Sequence, residues 1–275
     1  NAREAGRTLD IDLSYGALTS CGAVGTLGEV DLRLFGATYR DRRGVVATDS
    51  RPSSARQLDS REVDVSTTGA HAVLVVQAGS ALADALAWGA VQRGSWGALR
   101  HRASALAVEG GVQWPKGRWA PWLRAGGYHA SGDRTPGDQR HDTFFQLLPT
   151  PRLYARFPFY NGMNSEELFA QLTIKPAKQL VGRVGVNALR LAESGDLWYA
   201  GGGAFDDRSF GYAGRPSNGE RSLGRVADGS IEWRPRRWLA VEGYLAANWG
   251  NAVAGRTYRT SGRGRFGMLE VTLTR

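Results

Sequence analysis

The sequence predicts an all-β fold, an antiparallel transmembrane β-barrel of which about eleven strands are present. Three observations carry the prediction: apolar and polar residues alternate with a period of two, short tryptophan-flanked turns recur, and long polar connections lie between them. Composition alone does not decide: 37 glycines and 9 tryptophans in 275 residues suit a barrel, where glycine eases curvature and aromatic residues occupy the two membrane interfaces, but the glycines suit loop-rich soluble β structure equally well.

The alternation defines the strands in order. Near 8–18, one face carries the apolar residues Leu9, Ile11, Leu13 and Tyr15. Near 28–39, it carries Val30, Leu32 and Leu34. Further strands are predicted near 62–77, 85–95, 102–114, 119–131, 166–175, 178–191, 223–234, 237–249 and 264–275. Charged residues sit centrally on the second face of many strands, where a water-filled lumen would solvate them while lipid meets the apolar face.

The connections distinguish a barrel from a soluble sandwich with one wet face. Three turns, at 114–119, 174–180 and 233–238, are short and basic, and tryptophans flank the first and third. Long polar connections lie near 40–60, 132–164 and 192–222. This asymmetry is typical of periplasmic turns and extracellular loops. It predicts that residues 1–275 form a single outer-membrane β-barrel segment.

An odd number of strands cannot close in a wholly antiparallel barrel. Unpaired backbone groups in hydrocarbon cost several kcal/mol each, so an open edge would cost on the order of tens of kcal/mol. We therefore expect further strands before Asn1, and these residues to be an incomplete portion of a larger barrel. The first residues are polar and contain no apolar signal segment. Because an exported barrel needs a leader, we expect either that it was removed or that the sequence starts inside a longer protein.

Enzyme signatures are absent from the sequence. It has no phosphate-binding glycine loop, no His-Glu-x-x-His and no Gly-x-Ser-x-Gly. The single cysteine is Cys21, and the histidines are scattered at His71, His101, His129 and His141. We predict a protein that is not an enzyme and has neither cofactor nor metal.

The net charge is +9, and most of the basic residues are arginine. An arginine excess suits binding to an anionic lipid or polymer, but a GC-rich genome produces the same excess without any functional cause. Nucleic acid is not a predicted partner.

The most unusual segment, residues 143–161, is too apolar for an exposed loop. Prolines at 149, 151 and 158 forbid a central strand there. We expect the segment to fold into the lumen mouth as a constriction, which would hold Arg152 and Arg156 near the pore, where guanidinium groups grip carboxylates. The alternative is a loop packed on the outer rim with its arginines in water.

Residues 143–169, "TFFQLLPTPRLYARFPFYNGMNSEELF", and 196–219, "DLWYAGGGAFDDRSFGYAGRPSNG", resemble the C-terminal part of the alginate export family of outer-membrane porins. The likeness covers roughly residues 85–250. It implies an eighteen-strand barrel with a narrow, arginine-lined pore through which an anionic uronate polymer diffuses without a cofactor.

Six residues are predicted to bind the solute. Arg152 and Arg156 match the family's basic loop motif, and Tyr154 lies between them. Arg124, Arg183 and Arg190 are added from the strand-face pattern. The predicted wall also carries acids that can pin arginines through ion pairs: Glu109, Asp228, Glu232, Glu242 and Glu270.

The predicted function is an outer-membrane channel for passive export or diffusion of an alginate-like anionic polysaccharide or a related anionic solute. Its other partner would be the lipid of the bacterial outer membrane. Two alternatives stay open. One is a soluble β-rich carbohydrate-binding or carbohydrate-cleaving protein with aromatic sugar platforms, and the other is a scaffold barrel that the connection at 132–164 plugs completely.

Overall fold

Eleven long strands make up most of the chain. The computed structural model describes residues 9–26, 28–147, 155–201, 209–258 and 262–274. The long strands are β1 (Ile11–Val24), β2 (Gly28–Asp41), β3 (Val63–Ala78), β4 (Ala81–Trp96), β5 (Leu99–Gln113), β6 (Trp122–Ala130), β8 (Ser165–Ala177), β9 (Leu180–Arg190), β12 (Ser222–Arg236), β13 (Leu239–Gly250) and β14 (Arg263–Leu273). Three short strands, β7 (Arg140–His141), β10 (Leu197–Gly201) and β11 (Tyr212–Pro216), lie within the connections.

Every long strand pairs antiparallel with the next, in the order β1-β2-β3-β4-β5-β6-β8-β9-β12-β13-β14. The all-β antiparallel prediction is confirmed, and the eleven strands fall where the alternation predicted them, with shifted ends. Within the described ranges, β1 pairs with β2 alone and β14 with β13 alone. Further strands before Asn1 stay a prediction.

The connections contain short elements that periodicity did not reveal. These are α1 (Ser53–Gln57), β7 (Arg140–His141), β10 (Leu197–Gly201), β11 (Tyr212–Pro216) and α2 (Ala252–Thr257). β7 adds parallel to β5, and β10 with β11 forms a separate two-stranded sheet. Neither helix of the described chain is long and apolar enough to cross a membrane.

Long and short connections segregate to opposite ends of the sheet. Residues 42–62, 131–164, 191–221 and 251–262 join strands at one end, the loop end, which also has the short turn at 97–98. The other end, the turn end, carries only the connections 25–27, 79–80, 114–121, 178–179 and 237–238. The fourth long connection, 251–262, was not anticipated.

The buried core lies between the sheet and these connections. We call the covered side of the sheet the inner face and the opposite side the outer face. One cluster packs Val65 and Trp96 of the wall against Phe145, Met163 and Tyr199 of the connections. A second brings residues of the connections against β9, β12 and β13: Phe157, Tyr160, Trp198, Leu189, Val226 and Tyr244.

The outer face is apolar and bare. Leu168, Leu245 and Leu269 are 68%, 73% and 73% exposed. Other exposed apolar side chains on this face are Leu18, Leu34, Leu106, Val108, Val184, Val186, Ile231 and Val271. Over the described residues, therefore, no second layer of protein covers these rows. The barrel prediction requires this, whereas in a sandwich a second sheet would cover one apolar face.

The face assignment of β1 was wrong. Leu13 pairs with Tyr39, whose buried side chain lies on the inner face, and Tyr15 stacks on Phe35 with ring centroids 6.5 Å apart. The apolar residues of this strand therefore point inward at the loop end. There Ile11 packs against the buried cluster that includes Tyr39 and Phe145, while Asp12 on the other face pairs with Arg42.

Candidate functional site

A strip of charged side chains crosses the inner face beneath the connections. Alternation places odd residues of β9 and even residues of β12 and β13 on this face. The register then sets Asp228 opposite Gly185, and Ser230 between Arg183 and Tyr244. Three adjacent strands thus bring a guanidinium, a carboxylate and a phenol together.

Asp228 is the centre of this cluster. Its Oδ2 accepts a hydrogen bond from Arg183 Nη2 at 2.7 Å and another from the Tyr244 hydroxyl at 2.8 Å. The Asp228 side chain is fully buried and that of Arg183 is 18% exposed. A carboxylate so deeply buried needs such partners, because an isolated buried charge is strongly unfavourable.

Arg156 reaches the same cluster from the connection 131–164, which we call the aromatic connection. Its backbone N–H donates to the Tyr244 hydroxyl at 2.9 Å, and its Nη1 lies 2.8 Å from Glu242 Oε1. The guanidinium carbons of Arg156 and Arg183 are 5.7 and 6.0 Å from the Tyr244 ring centroid. We call Arg156 and Arg183 the guanidinium pair.

Arg124 belongs to a second ionic cluster on the inner face. Its guanidinium donates to Glu109, and its Nε is 3.7 Å from Asp84 Oδ1. Trp122 holds Asp84 with a 2.7 Å hydrogen bond from its indole N–H, and the Arg124 guanidinium lies 4.8 Å from the Trp122 ring centroid. Acids therefore hold Arg124, Arg156 and Arg183, as the sequence predicted for Glu109, Asp228 and Glu242.

Only some of the predicted site residues lie on the inner face. Arg124, Arg156 and Arg183 lie on the inner face, and the fold brings Arg156 and Arg183 together at Tyr244. Arg152 and Tyr154 lie outside the described residues. Arg190 is on the outer face, with its Nε bonded to Glu166. Residues 183 and 190 are seven positions apart, so a regular strand points them to opposite faces; the strand-face assignment of Arg190 was wrong.

The aromatic connection is tied to the wall by hydrogen bonds. Gln92 of β4 donates from Nε2 to the Phe145 carbonyl and accepts from the Phe145 N–H, both at 2.8 Å. Tyr128 of β6 donates to the Gly162 carbonyl at 2.9 Å. The described residues of this connection thus lie against the inner face rather than on the outer rim; a constriction of the lumen stays a prediction.

Buried polar groups join the connections to one another and to the wall. Asp196 accepts hydrogen bonds from the hydroxyls of Thr143 and Tyr199, and burial raises the pKa of its carboxyl to about 6. His101 and His141 meet through their Nδ1 atoms at 2.9 Å, and Trp96 stacks on His141 with centroids 4.1 Å apart. The described residues contain no group of three or more His, Cys, Asp or Glu side chains that could hold a metal.

Sequence reasoning missed Tyr244, Trp122 and Asp84. Their strands were predicted, but their roles depend on cross-strand register, which the alternation does not specify. Beyond the geometry, a family model described as alginate export matches residues 23–263. A search of curated proteins gives no match.

Proposed function

The chain belongs to the alginate export family, a family of outer-membrane porins, and we propose that it forms part of a channel through which an anionic polysaccharide diffuses passively. In this proposal the outer face meets lipid and the inner face encloses water. The aromatic connection narrows the passage, and the long connections are extracellular. No catalytic step is involved.

The guanidinium pair is the observation that carries the proposal. Arg156 of the aromatic connection and Arg183 of β9 both lie within 6.0 Å of the Tyr244 ring centroid, and the Arg156 side chain is 40% exposed. A uronate polymer presents a carboxylate on each acidic sugar. The planar fork of arginine donates paired hydrogen bonds to a carboxylate and so replaces part of its lost hydration.

The acids beside the arginines support transport rather than tight binding. A conducting site must attract the solute enough for entry and release it readily. Glu242 and Asp228 hold the guanidinium groups in place and offset part of their charge. We therefore propose that the guanidinium pair is a weak binding site for the solute along the passage, and that Arg124 provides a second such site.

Conductance of the full-length protein in planar bilayers tests the proposed selectivity. We expect a preference for chloride over potassium that falls or reverses in Arg156→Ala, because this change removes a positive charge and uncovers Glu242. The matched control is Arg190→Ala, an arginine of the outer face, which should leave the reversal potential unchanged. Potassium preference that Arg156→Ala does not alter would overturn anion selectivity, and insertion without any current would favour a plugged scaffold.

Charge on the outer face tests the membrane setting separately. We expect Leu245→Arg to destabilise the folded barrel by about 2–4 kcal/mol if this side chain lies near the bilayer midplane, because lipid does not solvate the guanidinium. Unfolding in urea from lipid vesicles measures the loss. Leu58→Arg, in the connection 42–62, is the control, since Leu58 is 88% exposed outside the strands. Equal stability of both variants, with protein released by osmotic shock, would favour the soluble carbohydrate-binding alternative.

A further inference from the structure

Three arginines stand together on the outer face at the loop end of the β4–β5 hairpin. Arg93 and Arg102 are directly opposite in the register, and Arg100 is the next outward residue of β5. All three are exposed, whereas the alternate residues Gln92, His101 and Ala103 are buried on the inner face. The hairpin thus presents a concentrated positive charge away from the proposed passage.

These arginines differ from their neighbours in lacking acidic partners. On β2 and the connection after it, Arg40 pairs with Asp64, and Arg42 with Asp10 and Asp12. Over the described part of the chain, the side chains of Arg93, Arg100 and Arg102 form no ion pair or hydrogen bond. Like charges directly opposite across a strand pair are destabilising, so an anion bound between them would relieve this repulsion.

A shallow apolar groove begins on the same face, on the turn-end side of the arginines. Its volume is about 590 Å³, and its outward lining includes Leu18, Leu34, Ala70, Gly89 and Leu106. Gly89 and Ala70 are small, while the exposed leucines form the sides. A linear apolar chain fits such a groove, and its polar head would then lie at the arginines.

We propose that Arg93, Arg100 and Arg102 bind the phosphates of a phosphorylated glycolipid of the outer leaflet, with an acyl chain in the groove. Guanidinium forks match phosphate oxygens in bidentate geometry. Basic side chains at the level of the head groups, next to an apolar strip, provide the complementary charge. The inference rests on the outer-membrane setting of the proposed function, but not on the anion passage.

Native mass spectrometry of the full-length protein in detergent, with bisphosphorylated lipid A as the probe, tests the site. Substituting all three residues (Arg93→Gln, Arg100→Gln, Arg102→Gln) should weaken lipid binding roughly tenfold or more, since several charge-assisted hydrogen bonds are lost. Dephosphorylated lipid A should bind the wild-type protein as weakly as the phosphorylated lipid binds the triple variant.

The double variant Arg236→Gln, Arg237→Gln is the matched control, because these exposed arginines lie at the turn end. It should bind lipid A as the wild-type protein does. Equal lipid binding by the triple variant, or no preference for the phosphorylated lipid, would overturn the proposal. Displacement of lipid A by an equal concentration of inorganic phosphate would assign the site to a free anion instead. Bilayer selectivity should be unchanged in the triple variant, which separates this test from that of the anion passage.

Discussion

Replacing Asp228 with alanine should destabilise the folded protein by about 3–5 kcal/mol, the range observed when one partner of a buried ion pair is removed. Asp228 is fully buried and accepts hydrogen bonds from both Arg183 and Tyr244. The alanine variant loses both bonds and leaves a mostly buried guanidinium without this carboxylate. Urea unfolding of the full-length protein in lipid vesicles measures the change.

Two further variants separate charge from hydrogen bonding at this position. Asp228→Asn keeps an acceptor oxygen but loses the negative charge, so its stability should fall between wild type and Asp228→Ala. Glu232→Gln is the control on the same strand and face, because the Glu232 side chain is 30% exposed and solvent can replace its contact. A loss below 1 kcal/mol in Asp228→Ala would mean that water replaces the contacts of Asp228 with Arg183 and Tyr244, and that this carboxylate is not the buried centre of the cluster.

Period-two alternation was enough to predict the sheet. Many long strands alternate polar or ion-paired residues of the inner face with apolar residues of the outer face, so the pattern reports on the side-chain environment. It failed in β1, where Leu13 pairs with the inward-facing Tyr39 and Tyr15 stacks on Phe35, so these apolar residues lie on the inner face. Alternation shows that two faces differ, but it does not say which one meets the connections. That choice is made by tertiary packing.

The site was predictable only in part, for a related reason. The pairing of wall arginines with wall acids follows from burial, because a charge that leaves water requires a partner. Which acid meets which arginine depends on register, so Tyr244 was missed. The contacts of the connections, such as Gln92 with Phe145, join residues more than fifty positions apart and leave no local pattern. Arg190 was a simpler error, since its odd separation from Arg183 already places the two on opposite faces.

Shortening the aromatic connection should raise the conductance of the channel several-fold. Ala130 and Ser165 are already paired at the ends of β6 and β8, so residues 133–163 can be replaced by a short glycine linker that closes an ordinary hairpin. The change removes Phe145, Phe157 and Met163, which fill space against the inner face. Single-channel recordings of the full-length protein in planar bilayers measure the effect.

A smaller replacement at the tip of the same connection provides the control. Residues 135–138 are exposed, and exchanging them for Gly-Ser-Gly-Ser should leave the conductance unchanged. The shortened variant also loses Arg156, so its chloride preference should fall as its current rises. Removal of a loop that only covers the rim would change neither the current nor the chloride preference. Unchanged conductance in a folded, inserted variant would show that the aromatic connection does not limit the passage. The guanidinium pair would then have to act on a solute in a wide lumen. Its influence there would be screened by salt within about 8–10 Å.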